Sequence, residues 1–549
     1  DGYYKENIFK GDLKKIIDFY KDHGYVNAKI LNHKIEFDEK TRMHIYIDIY
    51  EGPQYRYGEV DIKGNNVFSK SDILSFLTLK SGELYNQKEM NDNINIIMLK
   101  YAEKGYIYCY IKPEENINEE QKTISFVLNI QESIQMYLNR IDISGNDVTK
   151  DKVIRREMTV SPGEIFNSQK VRRSIQRIYN LGFFQDVNID TEPANRENNL
   201  NLKLKIKEKP TGQANFAATY SGTDGIIGQI QIAKNNLFGY GQRVDLTYEF
   251  GKNIRNYEFG FTDPYILDTK FLFGFNIFNT NRTRYTYDYF GERDIDGNFS
   301  IVKKRSAYEY HKTGGGIELG RALSENLRFS LQYNYENGEY FTVSSYPLPS
   351  DVILGKNATR SLTYTFVYDS RDNVFNPSTG AKYRLMWEGA GGFLGGDNNY
   401  NKVIGDSFWY QKTFSKFILM LHMQMGIIDP YGSSDDVPPI EKFSIGGGST
   451  VRGYGERDIA DRKRREFIAN LEHKYPIEEN INFVTFIDTG NAWDQTNEIQ
   501  LKDLKSGVGI GFHMETPIGP IRFDYGWGLN LEPGDEKGRF HFNLGWGFY

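Results

Sequence analysis

Ile521-Arg522-Phe523-Asp524-Tyr525-Gly526-Trp527 is the stretch whose reading decides the fold. Ile521, Phe523, Tyr525 and Trp527 point to one side of an extended chain, while Arg522, Asp524 and Gly526 point to the other. Upstream, Val508, Ile510, Phe512 and Met514 alternate with Gly507, Gly509, Gly511, His513 and Glu515. Further back, Leu362, Tyr364, Phe366 and Tyr368 alternate with Thr363, Thr365, Asp369 and Arg371. The last segment places Phe540, Phe542, Leu544, Trp546 and Phe548 on one face. A soluble sandwich also alternates, so the polar face decides. Here it carries charges and glycines on successive strands, as a watery lumen would. On a lipid face each charge would cost up to about 2–4 kcal/mol near the midplane.

Working outward, such segments of roughly ten residues fill the chain from Thr211 onward, separated by Gly, Asn, Asp and Pro clusters. They number about sixteen, the even count a closed membrane barrel takes. Long connections are expected near 281–307, 338–359 and 429–463. Mean hydropathy is only −0.58, yet there are 39 Tyr and 37 Phe. A barrel reconciles the two, because its apolar residues alternate and its aromatics gather in interfacial girdles. No run approaches the roughly 18 apolar residues of a spanning helix.

The first ~210 residues repeat instead. Gly24-Tyr25, Gly105-Tyr106 and Gly182-Phe183 each follow a helical pattern and lie 81 and 77 residues apart. Val60-Asp61-Ile62-Lys63-Gly64-Asn65 and Ile141-Asp142-Ile143-Ser144-Gly145-Asn146 open the second and third units at a spacing of 81. Glu51, Glu132 and Glu208 each close an alternating strand. A full unit reads strand, helix, helix, strand, strand. Met90, Ile94, Ile97 and Tyr101 share one helical face, as do Val171, Ile175 and Ile178. The first unit has its long helix (Leu13, Ile16, Ile17, Tyr20) and last strands but no opening strand or first helix, so the expectation is a chain that begins inside a longer protein.

These units resemble POTRA domains, the polypeptide-transport-associated modules that precede barrels of the BamA superfamily. The late motifs resemble the same superfamily. Gly446-Gly447-Gly448-Ser449-Thr450-Val451-Arg452-Gly453-Tyr454 falls between the eleventh and twelfth segments, where the family's sixth outside loop folds into the lumen with a Val-Arg-Gly-Phe or -Tyr tip. Phe486-Ile487-Asp488-Thr489-Gly490 resembles the companion Phe-x-Asp-x-Gly on the thirteenth strand. Asp369 to Asn373, with Pro377 and Gly380, resembles the family's midway strand-turn-strand, and Phe540 to Tyr549 a terminal barrel signal. An arginine inside a barrel needs a carboxylate, and its planar fork suits a bidentate one. Arg452 is therefore expected to pair with Asp488, with Glu515 and Asp524 as nearby lumen carboxylates. Gly453 allows a sharp turn.

The resemblance implies α+β POTRA repeats followed by an all-β transmembrane barrel of about sixteen antiparallel strands. The expected domains are an incomplete module at 1–53, modules at 54–133 and 134–209, and a barrel at 210–549 with the infolded loop 429–463. It implies a bacterial outer-membrane assembly factor with its modules in the periplasm, working on unfolded outer-membrane protein clients without nucleotide. Accessory periplasmic or lipoprotein subunits and membrane lipid are the other expected partners. Exposed module edges would accept an extended strand. The barrel would close at a weak seam, Gln213, Phe216 and Tyr220 on the first strand against Phe542, Gly545 and Phe548 on the last. A TamA-like factor, a two-partner secretion transporter exporting a soluble partner, and the barrel carrier of an N-terminal esterase are the alternatives; a plain porin would lack repeats and loop motif.

Other chemistry finds little footing. With a net charge of −6 there is no basic footprint for nucleic acid. The run Arg462 to Arg465 reads as a solvated loop-to-strand junction. Cys109 is the only cysteine, so no disulfide forms within the chain. The eight histidines are scattered, Gly447 to Val451 fails Gly-x-Ser-x-Gly, and Gly507-x-Gly509-x-Gly511 lies inside a strand rather than opening a helix. No catalytic residue, metal ligand or cofactor is expected.

Overall fold

The computed structural model describes all residues except 1–3, 39–42, 222–224, 294–298, 344–351, 353, 375, 415, 479, 517–518, 532–535 and 545–549. It divides into two compact units, Asp1–Pro210 and Thr211–Tyr549.

In the first unit the second and third modules are built alike. Strand Arg56–Lys63 leads to helices Lys70–Phe76 and Gln87–Glu103 and then to strands Tyr110–Asn118 and Thr123–Gln131. The last strand lies in the middle, parallel to the first and antiparallel to the fourth element. Strand Tyr137–Ser144 opens the third module, which repeats that order through Asn199–Glu208. The central strand is apolar on one face because Ile124, Phe126, Leu128 and Ile130 are all buried against Met90, Ile94, Ile97 and Tyr101. Asn86 and Asn167 start the long helices, each accepting at 2.9 Å from the backbone N–H three residues on. The first module has helix Glu6–Asp22 beside the hairpin Lys29–Phe37 and Met43–Tyr50, with Leu13, Ile16, Ile17 and Tyr20 half-buried.

The paired Gly-Asn and Glu signals have one cause. Gly64 and Gly145 have φ of 80° and 84° and pass so close to the carbonyls of Ile130 and Ile206 that no Cβ would fit. This brings the following loop onto the closing glutamate. Glu132 accepts from Asn66 N–H at 2.6 Å, Val67 N–H at 2.8 Å and Tyr101 Oη at 2.9 Å. Glu208 likewise accepts from the backbone of Val148 and Thr149.

The second unit is a closed antiparallel barrel. Its strands are β1 Gly212–Ser221, β2 Gly225–Leu237, β3 Gln242–Gly251, β4 Ile254–Asp263, β5 Phe271–Arg293, β6 Phe299–Ala322, β7 Leu327–Thr342, β8 Gly355–Asp369, β9 Gly380–Ala390, β10 Tyr400–Lys412, β11 Ile418–Pro430, β12 Arg465–Glu478, β13 Ile481–Trp493, β14 Lys505–Thr516, β15 Gly519–Gly528 and β16 Gly538–Leu544. Alternation sorts the wall as the sequence requires. On β15 Phe523, Tyr525 and Trp527 are about 40% exposed outward while Asp524 is 2% exposed inward. Two expected loops are shorter than their polar content suggested. β5 and β6 stay paired from Phe271–Arg321 out to Arg293–Phe299, because Thr and Tyr at 283–289 continue the strand pattern. Likewise Gly338 to Thr342 belongs to β7 and Gly355 to Thr359 to β8.

Burial alone would raise the Glu132 carboxyl; the Val67 N–H, Tyr101 hydroxyl and Asn66 N–H outweigh it and hold it below the usual range. Its stabilisation is therefore full above the unfolded value near ~4.3 and lost as pH falls through the lower folded value. Glu132→Ala should cost about 1.5–3 kcal/mol at neutral pH, read as lost hydrogen-exchange protection at Asn66 and Val67. Unchanged protection would refute the clamp.

Candidate functional site

Between β11 and β12 the chain turns into the barrel. Its root is pinned by Arg465, whose Nη2 donates to both Asp429 oxygens at 2.8 and 2.9 Å. Arg465 is buried, at 8% exposure, so this end of the basic run is not a solvated junction. The loop then packs Val437 and Phe443 with Tyr400 and Ile428, and Ile440 with Tyr308, Tyr310 and Tyr340. Glu441 meets Lys402 Nζ at 3.0 Å and Lys312 Nζ at 3.8 Å.

At the tip, Arg452 is 4% exposed. Its Nε donates to Asp488 Oδ2 at 2.7 Å and its Nη2 to Oδ1 at 2.9 Å, the bidentate fork. Its own backbone N–H also donates to Asp488 Oδ2, at 3.0 Å. Nη1 reaches Glu472 Oε1 at 2.9 Å and Asp524 Oδ2 at 3.3 Å. The guanidinium carbon sits 3.5 Å over the Phe486 ring, which gives the Phe of Phe-x-Asp-x-Gly its place beneath the cation. Gly490 leaves room for Val451, and a Cβ there would come within 3.2 Å of it. Gly453 turns with φ 96° against the backbone of Trp527 and Gly528. Tyr454 Oη donates to Ser506 O at 3.3 Å and accepts from Asn530 N–H at 3.2 Å.

The third carboxylate on Arg452 is Glu472 of β12, where Glu515 was expected. Asp524 lies opposite Gly511, and Glu515 is four residues further along β14, about 13 Å at a strand's rise. The charges acting on Glu515 are Arg522 and Lys474. Glu472 carried no motif, but it shares β12's inward parity with Ile468 and Asn470. Three histidines also enter the site. His513 Nε2 is 3.0 Å from Asp524, and His541 Nε2 accepts from Gly453 N–H at 3.2 Å. His422 bridges Asp406 and Asn470, whose Nδ2 donates to Thr450 O at 2.7 Å.

Of the seam residues, Gln213 and Phe216 lie on β1, with Phe216 exposed outward, and Phe542 lies on β16 opposite Phe523. The Tyr220 backbone pairs with Ile226. Its side chain, Gly545 and Phe548 lie outside the described residues. Among the described residues no group of three His, Cys, Asp or Glu side chains is arranged to hold a metal ion.

Removing the cation leaves Asp488, Glu472 and Asp524 facing one another away from water. Arg452→Ala should destabilise the seated loop by about 3–5 kcal/mol, seen as protease cleavage within 429–463 in intact vesicles. Arg452→Lys should not restore resistance, because an ammonium cannot fork onto Asp488 while reaching two further carboxylates. Full protection in the lysine variant would show that charge alone seats the loop.

Comparison with known proteins agrees with this architecture. An Omp85 superfamily domain model matches residues 236–548, and the POTRA model, described as surface antigen variable number repeat, matches 1–52, 55–133 and 136–209. The outer membrane protein assembly factor BamA of Neisseria meningitidis serogroup B is 27% identical over 99% of this chain and 73% of its own length. The protein of the same name from Nitratidesulfovibrio vulgaris is 27% identical over 99% of this chain and 68% of its own. In fold, the crystal structure of Haemophilus ducreyi BamA lacking POTRA domains 1–3 matches with a TM-score of 0.61 at 21% identity, covering 89% of this chain and 99% of that one. CdiB from Acinetobacter baumannii matches at 0.52 and 16% identity, over 98% and 97%. Three POTRA modules, a closed barrel of sixteen strands and an infolded loop seated by its arginine go together with these matches: the chain is an outer-membrane protein of the Omp85 superfamily, with its POTRA modules on the periplasmic side.

Proposed function

We propose that this chain is an outer-membrane protein assembly factor that takes unfolded barrel precursors from the periplasm and promotes their folding into the membrane. Two BamA relatives matched over 99% of the chain support the class. The observation that carries the mechanism is the barrel's closure. β1 is registered with β2 through ten pairs and β16 with β15 through seven. Across the seam, the described residues register only Asn543 with Thr219 and Leu544 with Ala218. On our reading this junction is the weak one, since β1 sets Ala214 and Ala218 against the bulky outward residues of β16, and a weak ladder costs little to open. Opening it would expose unpaired N–H and C=O groups on which a client strand can template.

Free energy for insertion then comes from burying client strands in lipid and pairing their backbones, so the reading needs no nucleotide, cofactor or covalent step. In the modules, the edge strands Arg56–Lys63 and Tyr110–Asn118 flank a central strand and offer the same augmentation to a client or an accessory subunit. Membrane lipid contacts the outward aromatic face.

Ala218→Cys with Leu544→Cys places thiols on registered partners across the seam. Oxidised, this variant in phospholipid vesicles should fold a urea-denatured eight-stranded barrel at least about tenfold more slowly, a loss of 1.4 kcal/mol or more. Reduction should restore the rate. Undiminished folding by the oxidised protein would remove the seam from the mechanism.

A further inference from the structure

The loop that carries Arg452 meets the wall a second time, on its descending limb and with the sign of charge reversed. Pro438 and Pro439 fix the backbone leading into a short turn, Pro439–Glu441, and so preset where the Glu441 carboxylate stands. It lies 3.0 Å from Lys402 Nζ of β10 and 3.8 Å from Lys312 Nζ of β6, and all three side chains are one-fifth exposed or less. Lys312 has a second partner in Glu336 of β7, at 2.6 Å. Apolar contacts flank these pairs. Ile440 packs on Tyr308, Tyr310, Tyr340 and Val352, while Val437 and Phe443 cluster with Tyr400 and Ile428. Lys402 Nζ also stands 5.6 Å over the Phe443 ring. Nearer the root, Tyr431 Oη donates to Ala390 O at 2.8 Å.

The ion pairs of the two seats share no strand. Arg452 is held by β12, β13 and β15, and Glu441 by β6 and β10. The two residues stand only 452 − 441 = 11 positions apart along the loop. Two ammoniums on the inner wall need an anion, just as the three carboxylates need a cation. Because the signs are opposite, neither end of this segment can take the other's seat. Glu441 among Asp488, Glu472 and Asp524 would be a fourth like charge.

We propose that Glu441 is a positioning residue that makes the loop a brace: with Arg452 it ties the β6–β10 arc of the wall to the β12–β15 arc, and assembly depends on both ties. The dependence of assembly rests on the function proposed above; the seat itself does not. A loop held at Arg452 alone would leave the β6–β10 arc free to change its distance from β13.

Lys442 reports on the limb, since its side chain is 6% exposed and trypsin cuts after it once the limb is released. With trypsin on both faces of the vesicle membrane, Glu441→Gln should be cut after Lys442 while the bond after Arg452 stays protected, as fragment masses will tell. This variant leaves an extra ammonium in the wall. Glu441→Gln with Lys402→Gln removes one charge of each sign, and it should release the limb in the same way without that burden on folding. Per folded molecule, counted by heat-dependent gel mobility, either variant should fold the urea-denatured eight-stranded barrel at least about fivefold more slowly at saturating client. The client concentration giving half the maximal rate should not change. A merely structural role would lower the folded count and leave the rate per molecule intact. Lys442 still resistant in both variants, or a released limb with rates within about twofold of the parent, would overturn the inference. A parent protein no faster than empty vesicles would sink the assembly reading instead, and the trypsin map would still decide the seat.

Discussion

A single guanidinium, 4% exposed, answers to carboxylates from three separate strands, and the rest of the lumen is arranged around that fact. Left alone, each of Asp488, Glu472 and Asp524 would be a buried charge of one sign beside two others, a cost of several kcal/mol per ion. The loop supplies the compensating charge, so it cannot leave without exposing the wall's own repulsion. Its infolding is thus set by the wall as much as by its own residues. Lys474 at 3.5 Å from Glu472 and His513 at 3.0 Å from Asp524 share the load, which leaves the Asp488 fork as the pairing with most direct bonds.

Glycine makes this pairing geometrically possible. Gly507 and Gly526 face the loop where any Cβ would strike the Arg452 and Gly453 backbone, and a Cβ at Gly490 would crowd the Val451 side chain at 3.2 Å. On β14 and β15, Gly507 and Gly526 thus form a recess for the loop, while Gly509 and Gly511 make way for Phe486 and Asp524. The outward residues of the same strands are Ile510, Phe512, Phe523 and Tyr525, all about two-fifths to one-half exposed. One strand serves lipid and loop at once because its side chains alternate.

The parts legible in the sequence are those written by period or by a short local motif. The repeat near 80 residues and the strand parity depend on neighbours along the chain, and the Arg452–Asp488 pairing was carried by two short motifs 36 residues apart. Glu472, His541 and His422 escaped because none sits in a motif and they meet the loop only through barrel closure, which brings β12, β16 and β11 onto it, across 88 residues in the case of His541. Glu515 was misjudged for a related reason. Parity tells which side a residue faces but not its height, and on a tilted strand four residues separate the Arg452 level from the strand end. Polar content misled at 281–307, where tyrosine and threonine maintain a ladder that composition alone read as loop.

That ladder has a consequence for how the molecule can vary. A spanning strand uses about 9–11 residues, whereas β5 has 23 and β6 has 24. The β6–β7 register ends at the Tyr308–Thr342 pair, with one further bond from Val343 N–H to Ala307 O, and among the described residues 299–306 is registered with β5 alone. There β5 and β6 run on as a paired ribbon longer than a span needs. Residues can be added to or removed from it in register without altering the circumference, the stagger or the loop's seat. Length change between relatives should therefore accumulate there while the circle of sixteen remains fixed.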